Sequence, residues 1–120
     1  MVYVVFNKKF LTTMKNHYQK LMNMYASAPI QSVYPETKME LDKGVSSIEM
    51  PIQKHHLHAA QAVHGSVYFR MLDDAAFFAA NSLIPEYFVL TVAFNTNLIR
   101  PVSQGNLHCK GNALRQSGKL

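Results

Sequence analysis

The chain has one cysteine, Cys109, and no tryptophan in 120 residues. A lone thiol cannot close an intrachain disulfide, so this is no disulfide scaffold of the secreted kind. Glycine and proline number five each, and the chain has no low-complexity tract. Charged residues make up 16% and hydrophobic ones 48%, a balance that excludes general disorder. The net charge is only +5, and the twelve lysines and arginines are scattered without a block of like charge or an arginine-rich arm. No nucleic-acid motif is present, and no nucleic-acid partner is expected. The apolar run at 2–6, VYVVF, is too short for a signal core or a membrane span, and lysines follow it rather than precede it. The expectation is a cytoplasmic chain with no membrane partner and no internal repeat.

What the chain does have is concentrated in HGSVYFRMLDDAAFFAANSLI, residues 64–84. The run is helix-length and apolar on nearly every side, so it expects burial. Two adjacent acids, Asp73 and Asp74, sit in its middle. Neighbouring helical residues point about 100° apart, so the two cannot share a partner face. Asp74 follows Arg70 by four residues, the spacing of a local ion pair. Asp73 falls on the side of Phe69, Ala76, Phe77 and Ala80. It is either a second structural salt bridge or a carboxylate whose basicity is tuned at the edge of an apolar pocket. Ser66 is the expected cap, Gly65 allows a tight bend before it, and Pro85 is the expected stop.

Around this helix the chain reads as follows. Residues 2–6 favour a strand. Phe10, Leu11, Met14, Tyr18, Leu21, Met22 and Tyr25 recur at helical spacing, predicting an amphipathic helix over 7–26 with Asn7 as a possible cap. A proline-containing connector reaches Pro35. Short strands are expected at 39–43 and 45–53, with Pro51 arguing for an edge or a bulge in the second. Residues 54–63, KHHLHAAQAV, read as a histidine-rich loop. Alternation of Val92, Phe94, Thr96 and Leu98 with Thr91, Ala93, Asn95 and Asn97 predicts a long half-buried strand over 88–100. Hairpin logic then places a strand at 107–116 antiparallel to it. Cys109 lies in this last strand as a small packing residue. The layout is α+β: an antiparallel sheet around one buried helix. Gly118-Lys119-Leu120 looks like a turn feeding a strand that does not follow, and the expectation is one domain over 1–120, shortened at its C-terminus, with 1–35 as N-terminal helix and connector.

At residues 58–76 and 91–105 the sequence resembles the hotdog-fold acyl-CoA thioesterases, of the 4-hydroxybenzoyl-CoA and phenylacetate-pathway type. The features are His64-Gly65, the acid nine residues later at Asp73 with Asp74-Ala75 after it, Thr91, and Arg100-Pro101-Val102 followed by Gly105. The resemblance implies a curved antiparallel sheet wrapped around one long central helix, here with an extra N-terminal helix and with C-terminal strands missing. It also implies a homodimer or homotetramer with active sites between subunits, a substrate that is an acyl-CoA, aryl-CoA or acyl-carrier-protein thioester, and no cofactor beyond the coenzyme A of the substrate.

Carried over residue by residue, the resemblance makes Asp73 the catalytic acid, acting as general base on water or as nucleophile on the thioester carbonyl. Gly65 supplies the backbone N–H that polarises the thioester oxygen, aided by the helix dipole. His64 shapes that loop. His58 occupies a position where the family often has Asn or Gln. Gln61, Ser66, Phe77 and Arg100 are the expected substrate contacts. Ser66 stands in place of a common second glycine, and Phe77 where some relatives carry a polar residue. Three other readings compete. A hotdog module that holds an acyl-CoA without turnover needs no acid at Asp73. A metal site among His55, His56, His58 and His64 matches no zinc spacing. The motif of hotdog dehydratases is not found.

Overall fold

A computed structural model describes residues 8–115 of the chain, with side chains from Met14 onward. The expected strand at 2–6, its neighbour Asn7 and the turn at Ser117-Gly118 lie outside the described residues. Helix α1 spans Lys8–Ser27, close to the expected 7–26. Met14, Leu21 and Tyr25 are buried and Tyr18 is half-buried, while Lys15, Gln19, Lys20 and Asn23 face out. That is one apolar stripe at three- and four-residue spacing. A short 3-10 turn, Pro29–Ser32, follows.

Three strands form one antiparallel sheet in the order β1-β2-β3: β1 is Lys38–Asp42, β2 Val45–Pro51 and β3 Asn106–Asn112. The β1–β2 hairpin turns at Gly44, whose φ of 70° suits a residue without Cβ. Alternation buries Met39 and Leu41 in β1 and Ser46, Ile48 and Met50 in β2. Cys109 and Gly111 face the same way in β3. Helix α2, Gly65–Asn81, lies across this face, and Val67, Met71, Ala75 and Phe78 join the sheet residues, Leu21 and Tyr25 in one core. Ile48, Met50 and Met71 are fully buried, each stabilising by about 1.5–3 kcal/mol on burial. Gly111 makes the close approach possible. A Cβ there would collide with the Ala75 carbonyl oxygen and lie 2.6 Å from the Ser46 hydroxyl, which itself donates to that carbonyl at 2.6 Å.

Three expectations need correction. β2 is the central strand, not an edge. Pro51 is its last residue, opposite Asn106, so the missing N–H falls where the ladder ends. β3 pairs with β2 in the register Ile48↔Cys109, not with the preceding segment. Residues 88–100 belong to no sheet among the described residues. They instead run along α2, with Leu90 and Val92 about nine-tenths exposed at 86% and 92%. Hydrophobic alternation gives the shape of a strand, but alternation does not choose a partner, and the segment's contacts go to α2 instead of a sheet edge. Among the described residues no helix is long and apolar enough to cross a membrane.

Candidate active site

The N-terminus of α2 is built by the loop before it. His56 is buried; its Nδ1 accepts from Gln53 N at 3.0 Å, and its carbonyl accepts from His64 N at 2.9 Å. Its ring stacks on Tyr34. Burial, and then the neighbouring His55, hold the His56 imidazole below the ordinary histidine range. A tight turn follows, in which His58 N donates to Ala62 O, Gln61 N donates to His58 O, and His58 Nδ1 accepts from Ala60 N. Gln61 sits there at φ 66°, a left-handed conformation rare for its type. Leu57 bridges to Val63 and closes the turn. His64 rather than Ser66 is the helix cap: its Nδ1 accepts from Ser66 N at 3.0 Å and lies 2.8 Å from the Ser66 hydroxyl. A ring nitrogen two residues back does what a serine oxygen was expected to do. Gly65 takes the first helical position, where the helix provides no acceptor for its N–H.

Asp73 stands two turns further on. With Gly65, Phe69 and Phe77 it forms one stripe of α2 at four-residue spacing. The 88–98 segment meets this stripe in antiparallel order. Phe88 lies on Phe77, the Thr91 hydroxyl donates to Asp73 Oδ1 at 2.7 Å, Phe94 packs edge-on against Phe69 at 4.6 Å, and Leu98 lies beside Gly65. Asp73 is thus half-buried on a stripe it shares with Phe69 and Phe77, and its carboxylate is oriented by one hydroxyl.

Asp74 points elsewhere. Its Oδ2 lies 2.9 Å from Arg70 Nε, the expected local pair. Arg70 is buried, its guanidinium 4.6 Å from the Tyr34 ring centre and 5.3 Å from that of Tyr25. Among the described residues the guanidinium nitrogens have no aligned hydrogen-bond acceptor; charge and ring faces hold it there. Burial pushes the Asp74 carboxyl up, Arg70 pulls it back, and Asp73 pushes it up further. The division of labour between the two acids follows: Asp74 serves the fold, and Asp73 is left to the surface segment.

The predicted residues therefore fall into two groups. Asp73 and Phe77 share one site with Thr91. His64, Gly65 and Ser66 form the helix N-terminus beside the loop of His58 and Gln61. Arg100 is exposed on the segment that passes Gly65. Eight residues separate Gly65 from Asp73, about 12 Å of helical rise, so one chain does not bring the two groups together. Sequence reasoning missed the bond from Thr91 to Asp73; the signals were Thr91's place on the polar side of the alternating run and its presence beside Asp73 among the residues that carry the resemblance. Among the described residues, no group of three or more His, Cys, Asp or Glu could hold a metal ion. The histidine cluster instead caps, stacks and turns the chain.

The profile of the Thioesterase superfamily matches residues 60–120. The chain belongs to that superfamily. In fold it is similar to the Escherichia coli PaaI protein of the phenylacetic acid degradation operon, with a TM-score of 0.77 at 20% identity over 88% of this chain and 75% of that one. A thioesterase family protein from Silicibacter pomeroyi gives 0.76 at 24% identity, over 84% and 75%. The shared architecture is the hotdog fold. A curated relative from Archaeoglobus fulgidus with an esterase name is 32% identical over 59 residues. That stretch is 49% of this chain and 38% of the relative, so the chain matches well under two thirds of the relative's length.

Proposed function

We propose that the protein hydrolyses a thioester of coenzyme A or of an acyl carrier protein, with Asp73 as its acid. The observation that carries this reading is Asp73 itself: a half-buried residue on the same helix stripe as Phe69 and Phe77, its carboxylate oriented by the Thr91 hydroxyl. A purely structural acid on this helix has an arginine, as Asp74 does; Asp73 has a neutral donor and a face toward the surface segment. In the general-base form, Asp73 takes a proton from water as its oxygen attacks the thioester carbonyl. The Gly65 N–H at the positive end of α2 stabilises the oxyanion. Collapse expels the thiolate, which takes a proton and leaves a carboxylic acid and a free thiol. In the nucleophilic form, Asp73 attacks first and water then cleaves the anhydride. Neither form calls on a cofactor.

The helical rise of about 12 Å between Gly65 and Asp73 supports a working unit of at least two copies, with Gly65 of one facing Asp73 of the other. The exposed apolar side chains of Leu90, Val92 and Ile99 suit burial between copies. The aromatic rings around Asp73 suit an aryl or medium-length acyl group, and the phenylacetic acid operon of the PaaI protein favours testing aryl esters first. His58 and Gln61 in the loop before α2, Ser66 in its first turn and Arg100 on the segment that passes Gly65 are assigned to the substrate at that end.

The test is thiol release from a panel of aryl- and acyl-CoA esters by wild type and Asp73→Asn. Loss of a general base lowers turnover by about 10²- to 10⁴-fold while the isosteric amide leaves melting unchanged. Equal turnover in both would remove Asp73 from the chemistry. Tight binding of the esters without turnover by the folded wild type would make the protein a binding module.

A further inference from the structure

Asn81 ends α2 and is 1% exposed. Its side chain is fully used. Oδ1 accepts from Val89 N at 2.9 Å, and Nδ2 donates to Tyr87 O at 3.1 Å and to Ile84 O at 3.3 Å. Its carbonyl lies 2.8 Å from His17 Nε2 of α1. One carboxamide thus ties down the reversal through which the chain leaves the helix and comes back along it. The returning segment belongs to no sheet among the described residues, so no strand ladder sets its register against α2. Side-chain rings alone tolerate sliding; a hydrogen bond to one particular amide does not.

Register decides the chemistry. Val89 lies two residues before Thr91, and Thr91 donates to Asp73. A slip of one residue would bring Leu90 or Val92 to Asp73, and neither has a side-chain donor. We propose that Asn81 is a positioning residue: by holding the Val89 amide it fixes the register that keeps the Thr91 hydroxyl on Asp73. The inference rests on the reading of Asp73 as the reacting acid.

The experiment is a double-mutant cycle on kcat, with KM and folding followed in parallel. Thr91→Val removes a hydrogen bond to a charged group and lowers kcat by about 10- to 100-fold. Asn81→Ser lowers kcat with little change in KM. In the Thr91→Val background it lowers kcat no further, because what it controlled is already gone. Losses that multiply would overturn the proposal and leave Asn81 a structural residue. Amide hydrogen exchange in the wild type tests the anchor without any variant: the Val89 N–H exchanges markedly more slowly than those of Phe88 and Leu90. Equal exchange at the three amides would overturn it, even if Asn81→Ser fails to fold. If Asp73→Asn keeps full turnover, the functional reading fails instead, and slow exchange at Val89 still establishes the anchor.

Discussion

Arg70 and Asp74 show how one residue pair leaves the neighbouring acid to a different partner. The Arg70 guanidinium is buried against Tyr25 and Tyr34, and Asp74 is its ionic partner at 2.9 Å. Removing one member of a buried pair strands the other. Arg70→Met therefore destabilises by about 3 kcal/mol, read as a lower urea midpoint, and Arg70→Met/Asp74→Leu recovers most of it. The penalty depends on pH. Arg70 is what holds the Asp74 carboxyl down against burial; without it the folded-state value rises further above that of the unfolded chain. The folded variant then binds more protons, so its stability is greatest in acid and falls as pH rises through the Asp74 titration. A variant equally unstable at every pH would mean the carboxylate is not the stranded group. This pair was legible from a spacing of four on a helix. The contact between Thr91 and Asp73 spans eighteen residues, and no local periodicity encodes it.

Between elements, two features carry measurable weight. Gly111 of β3 lets the strand approach the Ala75 carbonyl of α2 closely. Gly111→Ala forces β3 off the helix and costs about 3 kcal/mol, the upper range for overpacking, visible as a drop in melting temperature. An unchanged melt would show that the sheet shifts freely. The loop before α2 depends on a neutral His56, because Nδ1 must accept from Gln53 N. Its folded-state value lies below the ordinary one, so the unfolded chain takes up the proton first. Stability is full above the ordinary histidine value of about 6.5 and falls as pH drops below it, toward the lowered folded-state value. His56→Asn, which keeps an acceptor, flattens that fall; an equally steep fall in the variant would place the acid sensitivity elsewhere. Helix α2, β1 and the β1–β2 hairpin were readable from periodicity and turn residues. The pairing of β3 with β2 was not, because the two strands lie more than fifty residues apart in the chain, with α2 between them, and neither strand's local pattern names its partner. The cap was misassigned to Ser66 because histidine is seldom considered a capping residue.

For the molecule as a whole, the separation of Gly65 and Asp73 along one helix leads to the sharpest prediction. Gly65→Pro removes the N–H proposed for the oxyanion, yet suits the fold. Proline is favoured at the first helical position. His64 already has the φ of −65° and ψ of 142° that a residue before proline prefers. A Cβ at Gly65 meets only Leu98, at an ordinary 3.7 Å. Gly65→Pro and Asp73→Asn should therefore each yield folded, inactive protein. In a symmetric dimer whose sites take Gly65 from one copy and Asp73 from the other, a mixed dimer puts both defects into one site and leaves the second intact. Equimolar unfolding and refolding of the two variants makes half the dimers mixed, each with one working site of two, so about a quarter of wild-type turnover returns. Light scattering on the same samples reports two copies or more. If turnover stays absent although mass spectrometry shows mixed dimers, each site draws both groups from one chain, and α2 must bend or break to bring them together.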